Sequence, residues 1–306
     1  MQPTLLLRRT VMSALLFGFV GSGWAKDGEK FIFCSYNVRN WLKMERFIGG
    51  QRMVSDKPEE EKKAVIRILK EISPDILGLC EVGDEADVAD LQRRLKKAGV
   101  DLPHVERIRG SDPVRSLALL SRLPIVARNS RSDLGYMIRG VAMPFQIQRG
   151  LLDATVELSE GFQVRFIGVH LKSMREVVEA DQAVMRRNEA TLLREHLDQT
   201  LLIAPKSKIL CYGDFNEHRN EPAISIIMGK RNADSHMLEL VPQDVNGQVW
   251  THFWDAADSY ARLDYIFSSR ALRPHLNEEE SRIYHETDFL KASDHRPIVL
   301  PLSKKP

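Results

Sequence analysis

Cysteine is scarce in this chain. Cys34, Cys80 and Cys211 are the only three in 306 residues, and their spacing matches neither a zinc cage nor a disulfide framework. Each sits inside an apolar, strand-like run, in "FIFCSYN", "ILGLCEV" and "ILCYGDF". A buried thiol there behaves as a small hydrophobe, so redox chemistry is not expected of them.

A long apolar run is also missing. The longest lies near the N-terminus, in "LLLRRTVMSALLFGFVGSGWA", where Arg8 and Arg9 precede an apolar stretch from Val11 to Val20 and small residues end at Ala25. It is shorter than the ~20 residues a bilayer span needs, and glycines break it. Its layout is that of a secretory signal peptide. Residues 1–25 are therefore expected to be cleaved, leaving no stable membrane anchor, and the mature protein is expected in the periplasm or the medium. The Arg pair points toward twin-arginine export.

Charge of one sign is not in excess either. The leader holds two Arg and no acid, so the 44 Lys and Arg of the whole chain fall to 42, equal to its 42 Asp and Glu. Proteins that hold long duplex DNA usually carry a basic excess on one face, and bulk charge gives no support for that. One short cluster, "HVERIRG" from His104 to Arg109 with Arg115 following, runs the other way. No Gly-rich loop leads into Lys and Ser/Thr, which excludes a nucleotide cradle of that kind. No repeat, low-complexity segment or Pro/Gly/Ser linker divides the chain, and no feature points to a protein partner. Residues 26–306 are read as one domain, within the size range of a large single one.

What the chain does have is short buried strands interleaved with helices. "FIFCSYNV" is apolar at both parities, so both faces should be covered. Val65, Ile68, Leu69 and Ile72 repeat at helical spacing and stop before Pro74. After "DILGLCEV", Asp84 and Asp87 can cap a helix that turns Val88, Leu91, Leu95 and Ala98 inward and closes at Gly99. From about 103 to 170 the pattern is β-rich. A long helix is expected over roughly 174–199, with Ala183, Ala190, Leu193 and Leu197 on one side, and strands at "SKILCYGDF", "RLDYIFSS" and "RPIVLPL". Two mixed sheets stacked face to face with helices outside satisfy this α/β pattern.

Several of these strands end in a ligand or an acid–base group. Asn37 follows "FIFCSY", Glu81 follows "ILGLC", His170 follows "FIGV", and Asp214 and Asn216 close "ILCYGDFN". Asp264 opens "DYIF", and Asp294 and His295 precede "RPIVL". Singly, each could serve a turn or a cap. Jointly they would need a separate excuse apiece for a polar group at a core strand end. Oxygen ligands without a thiolate cage suit a hard divalent cation, Mg2+ first, with Mn2+ or Ca2+ as alternatives. A cation, two histidines and amide donors suit hydrolysis at phosphorus.

The segments "SYNVRNW", "LCEV", "ALLSRLPI", "GVHLKS", "YGDFN", "RLDYIF" and "SDHRPIV" follow the order found in the endonuclease/exonuclease/phosphatase superfamily. The chain resembles exported bacterial-type members of that DNase-I-like fold over about Phe31 to Leu302. The resemblance implies a four-layer α/β/β/α sandwich of two mixed sheets flanked by helices, and metal-dependent phosphoester hydrolysis. By position it implies Glu81 as the principal metal carboxylate, with Asn37 and Asp294 beside the metal. Asp214 would orient or deprotonate the water, and Asn216 would hold the water or the phosphate. His295, oriented by Asp264, and His170, with Lys172 nearby, would face the phosphate.

Branches that repair abasic DNA tend to carry Tyr where His170 stands. His170 is closer to the secreted nuclease, sphingomyelinase-like and small phosphatase branches. The expected substrate is a phosphoester of a nucleic acid, nucleotide, phospholipid or sugar phosphate. The contrasting reading is a binding relative that keeps the fold without the chemistry. Such a chain should have lost one of Glu81, Asp214, Asn216, Asp264 or His295, and none is missing. Three features stay open between function and packing: Arg187 on the apolar side of the long helix, Arg149 at the start of a strand, and the aromatic run "VWTHFW" from Val249 to Trp254.

Overall fold

The computed structural model describes residues 30–304, so the leader lies outside the described residues. Two six-stranded mixed sheets form the centre. In chain order their strands are β1 (Lys30–Trp41), β2 (Ile76–Val82), β3 (His104–Ile108), β4 (Ser116–Ser121), β5 (Ile125–Arg128) and β6 (Leu152–Ser159). They continue with β7 (Phe162–His170), β8 (Ile209–Asp214), β9 (Leu238–Leu240), β10 (Asp264–Ser268), β11 (Arg282–Ile283) and β12 (Ile298–Ser303). The first sheet runs β11-β12-β1-β2-β4-β3, and the second runs β9-β10-β8-β7-β6-β5. Only β1–β2 and β7–β8 are parallel; the other ladders are antiparallel.

Helices α1 (Glu59–Ile72) and α2 (Glu85–Lys97) cover the outer face of the first sheet, and α3 (Gln182–Ile203) and α4 (Pro222–Met228) that of the second. The result is the four-layer α/β/β/α sandwich that two mixed sheets with outer helices require. Three apolar seams follow. One joins the sheets, and one joins each sheet to its helices. Cys80, Cys34 and Cys211 fall one in each, all buried and unpaired, and burial pushes their thiols up.

Side-chain alternation explains why the strands are apolar at both parities. On β1, Phe31 and Phe33 enter the seam between the sheets, while Cys34, Tyr36 and Val38 face α1 and α2. On β8, Leu210 and Tyr212 enter the same central seam, while Ile209 and Cys211 face α3. The Tyr212 side chain passes between two glycines: a Cβ on Gly78 would lie 2.1 Å from its ring, and one on Gly168 2.8 Å from its hydroxyl. Glycine there is a spatial requirement, because no side chain fits beside that ring.

The caps agree with the sequence for α2, where Asp84 accepts from the backbone of Ala86 and Asp87, and Asp87 accepts from Asp84 N–H. The long helix departs from it. α3 starts at Gln182, not near 174, because Asp181 accepts the Val184 N–H at 2.8 Å and caps it there. The buried face also differs: Met185, Arg186, Glu189, Ala190, Leu193, Arg194 and Leu197 turn inward, Arg186 lying on the Ala190–Leu193–Leu197 stripe, and Arg187 is exposed. Two arginines of α3 turn inward: Arg186 pairs with buried Glu217 at 3.0 Å, and Arg194 donates to Ile227 O at 2.8 Å.

Candidate functional site

The alternation that fills the central seam also builds the site. Continuing Phe33 and Ser35 by two residues turns Asn37 into the seam. Gly168 and Tyr212 hand the same side on to His170 and Asp214, and Ile266 shares it with Asp264. In the second sheet His170 pairs with Asp214, and Asp214 with Asp264, so three polar groups form one rung across β7, β8 and β10. Glu81 breaks the rule. A bulge between Cys80 and Val82 holds it at φ +63°, in the left-handed region that non-glycine residues rarely adopt. From there its carboxylate reaches across the seam to 4.0 Å from His170 Nε2.

Asp214 sits at the centre. Its Oδ2 accepts from Asn37 Nδ2 at 3.0 Å and lies 3.5 Å from His170 Nε2 and 3.7 Å from His295 Nε2. Its Oδ1 accepts the Asn216 N–H at 2.9 Å. Burial pushes its carboxyl up to about 7, with the His295 charge opposing and the Asp264 charge assisting. Asn216 stands at φ +48° and donates its amide to Leu171 O at 3.0 Å.

The two histidines are driven in opposite directions. Burial alone would push His295 down, but the carboxylates of Asp264 and Asp214 outweigh it and hold it well above the usual range. Its Nδ1 is 2.7 Å from Asp264 Oδ2, an arrangement that fixes the ring and favours the imidazolium. Thr251 Oγ1 in turn accepts the N–H groups of Leu263 and Asp264. His170 is driven the opposite way, by burial first and then by the charges of Arg149, His295 and Arg115. Its Nδ1 has no hydrogen-bond partner among the described residues.

Asp294 lies beside Asn37 through Ser293, whose Oγ donates to Asn37 O at 2.7 Å and sits 3.4 Å from Asp294 Oδ1. Arg39 Nε is 3.6 Å from Asp294 Oδ2. The eight expected positions, Asn37, Glu81, His170, Asp214, Asn216, Asp264, Asp294 and His295, thus share one cluster. Lys172 does not face it: its ammonium donates to the carbonyls of Ser173 and Arg175.

Three neighbours add to the set. The His252 ring lies 4.6 Å from that of His295 and forms a strand bridge with it. Within "VWTHFW" the aromatics drew attention, and nothing local marks that histidine. Arg115 reaches within 4.0 Å of Glu81, and Arg149, buried to 6% exposure, stands behind it.

Fitness for a cation divides the carboxylates. Asp214, Asp264 and His295 each bring one potential ligand atom to within 4.8 Å of the others. That grouping is already spent on the Asp264–His295 hydrogen bond, and an imidazolium does not ligate. The Glu81 carboxylate, by contrast, makes no hydrogen bond among the described residues and has only the two contacts at 4.0 Å. An acid held in a strained conformation with no donor suits a divalent cation.

A sandwich whose sheet ends join a carboxylate-held histidine, a second histidine and convergent acids and amides is that of the DNase-I-like phosphoester hydrolases. The chain belongs to the endonuclease/exonuclease/phosphatase family, whose model matches residues 35–295. Among solved structures it resembles the human Nocturnin catalytic domain with bound sulfate, at 20% identity over 90% of this chain and 94% of that one (TM-score 0.61). It is also similar to truncated Caenorhabditis elegans TDP2, at 16% identity over 90% and 98% (TM-score 0.56). A third likeness is sphingomyelinase C from Streptomyces griseocarneus, at 14% identity over 90% and 99% (TM-score 0.59). At these identities the likeness concerns the fold. No protein of curated function matches the chain in sequence.

Proposed function

We propose that this chain is an exported hydrolase that uses a divalent cation to cleave phosphoester bonds by attack of water at phosphorus. The observation that carries the reading is the line Asp264–His295–Asp214, with contacts of 2.7 and 3.7 Å, opposite a carboxylate, Glu81, that no donor satisfies. Glu81, Asn37 and Asp294 would hold the cation, Mg2+ before Mn2+ or Ca2+. A cation bound there would polarise a phosphoryl oxygen and neutralise charge gathering on it.

The protein's own groups divide the remaining work. Asp214 is buried, which raises its basicity, and it takes a proton from the attacking water or orients that water. Asn216 holds the water or a phosphoryl oxygen. His295, cationic through Asp264, faces the phosphoryl group and stabilises its growing charge. His170, neutral, lines the opposite side. Export rests on the leader, and the expected location is the periplasm or the medium.

Hydrolysis of bis(p-nitrophenyl) phosphate by the purified protein, with Mg2+, Mn2+ or Ca2+ and then with EDTA, tests the reading. Metal-dependent release of nitrophenolate is expected. A protein inert with each metal towards this ester, DNA, RNA, nucleotides, sphingomyelin and inositol phosphates would sink it.

A further inference from the structure

Beside the cluster lies a pair of guanidinium groups that the hydrolytic reading does not use. Asp112 Oδ2 is 3.6 Å from Arg115 Nη1 and 3.4 Å from Arg149 Nε. One carboxylate therefore answers two cations. The carboxylate itself is held in place, since its other oxygen accepts the N–H groups of Val114 and Arg115 at 3.0 Å. The two segments are pinned together as well: Ser111 and Asp112 donate their N–H groups to the carbonyls of Ile147 and Gln148.

Position ties the pair to the site. Leu152 pairs with Gly168, so the chain just before it, at Arg149, runs alongside the end of β7 where His170 sits. Arg115 precedes β4 and lies 4.0 Å from Glu81. The contacts thus run from Arg149 through Asp112 and Arg115 to Glu81, and on to His170. The pair flanks the catalytic cluster on the side away from His295.

Arg149 is ion-paired with Asp112 but not fully hydrogen-bonded. Its Nη1 donates to Gln148 Oε1 at 2.6 Å, but its Nε makes no hydrogen bond, although the residue is only 6% exposed. A buried donor left unmade costs about 1–3 kcal/mol, and more when charged. An arginine fork is suited to phosphate oxygens. The open edge of the pair is Arg115, whose side chain is 25% exposed.

We infer that Arg115 and Arg149, sharing Asp112, form a subsite for a second phosphate on the substrate, next to the one being cleaved. The inference rests on the hydrolase reading in one respect: Glu81 is there committed to a cation, which leaves Arg115 free of it. Behind Arg149 the charges of Glu189 and Lys172 offset one another, so two guanidinium groups against Asp112 leave one positive charge for the ligand. A cationic headgroup such as choline would be repelled at this edge, so the substrate is a polyanion, for example a 5′-phosphorylated short oligonucleotide.

Two measurements test it. The first needs no turnover: inorganic pyrophosphate is titrated calorimetrically, in EDTA and at low salt, into Glu81→Gln protein, which lacks the competing carboxylate. Adding Arg149→Met or Arg115→Met should weaken binding by about tenfold or more, and Arg149→Lys should restore part of it. Thermal melting identifies a misfolded variant, and the other arginine then serves. Unchanged affinity in the folded variants, or no binding in the parent, overturns the subsite. The second compares kcat/KM for a thymidine dinucleotide with and without a 5′-phosphate. The wild-type protein should favour the phosphorylated form about tenfold, mainly through KM, and the ratio should collapse toward one in either arginine variant. A ratio near one in the wild type, or an undiminished ratio in the variants, also overturns it. If no phosphoester is cleaved, the hydrolase reading falls and the pyrophosphate titration still decides the subsite.

Discussion

Nδ1 of His295 lies 2.7 Å from Oδ2 of Asp264, while Nε2 of the same ring lies 3.7 Å from Asp214. One histidine therefore separates two aspartates with different work. On the proposed mechanism Asp214→Asn removes the group that acts on water, and kcat should fall by about 10²–10⁴-fold. Asp264→Asn acts through the ring. The folded protein holds the His295 imidazolium above its usual range, so the rate should fall as pH rises through that raised pKa. Without the Asp264 charge the alkaline limb should move to lower pH. Adding Asp264→Asn to His295→Ala should cost little beyond His295→Ala alone. Multiplying losses in steady-state kinetics of the double variant would separate Asp264 from His295.

Glu81→Gln keeps size and removes the anionic ligand proposed for the cation. The metal concentration that gives half-maximal activity should rise by about tenfold or more, with the melting temperature nearly unchanged. Metal titrations of both proteins check this, and identical curves would take Glu81 out of the cation site.

A second buried carboxylate is expected to matter for stability. Asp153, away from the site, accepts from Arg165 Nε at 2.7 Å and contacts His196 Nε2 at 2.6 Å. Burial alone would raise its carboxyl, but these bonds hold it below the ordinary 3.8. A depressed folded pKa stabilises at pH above 3.8, and that contribution is lost as pH falls through the lower folded value. Urea denaturation should show Asp153→Asn less stable at neutral pH, with the gap narrowing below about pH 4. A gap constant with pH would assign the loss to packing alone.

Gly78→Ala puts a methyl 2.1 Å from the Tyr212 ring. That ring is enclosed in the central seam, so strain of about 1–3 kcal/mol is expected, read as a lowered urea midpoint. Pairing it with Tyr212→Phe should leave the loss largely in place, because the contact is to ring carbon as well as to the hydroxyl. Full rescue by Phe would mean the hydroxyl alone was in the way.

The sandwich and its polar strand ends were legible because both follow a period of two. Asn37, His170, Asp214 and Asp264 continue the alternation that buries Phe33, Phe166, Tyr212 and Ile266. Glu81 was legible as an acid at a strand end, but its direction was not, since its bulge cannot be read from "LGLCEV" and strict alternation would have turned it toward α1 and α2. Spacing from Ala183 points to Arg187, but the buried stripe is that of Ala190, Leu193 and Leu197, on which Arg186 lies, and the start of α3 is not legible either. Asp181 is a sound capping residue, but other polar residues before it look as capable. His252 was hidden by its aromatic neighbours, and the Arg115–Asp112–Arg149 contact by sequence distance, which only the pinned loops at 111–112 and 147–148 close.

Each sheet carries half of the cluster, with Asn37 and Glu81 on one and His170, Asp214 and Asp264 on the other. The layer between them works as a spacer. Phe33, Phe166 and Tyr212 pack at ring separations of 4.9 and 5.2 Å, and their thickness sets the gap across which the Glu81 and His170 side chains face each other. Close-packed interiors transmit strain rather than absorb it. Catalytic distances in this protein are thus gauged by residues that never meet the substrate, and a change of volume deep in the layer would detune the site as a shim detunes a bearing.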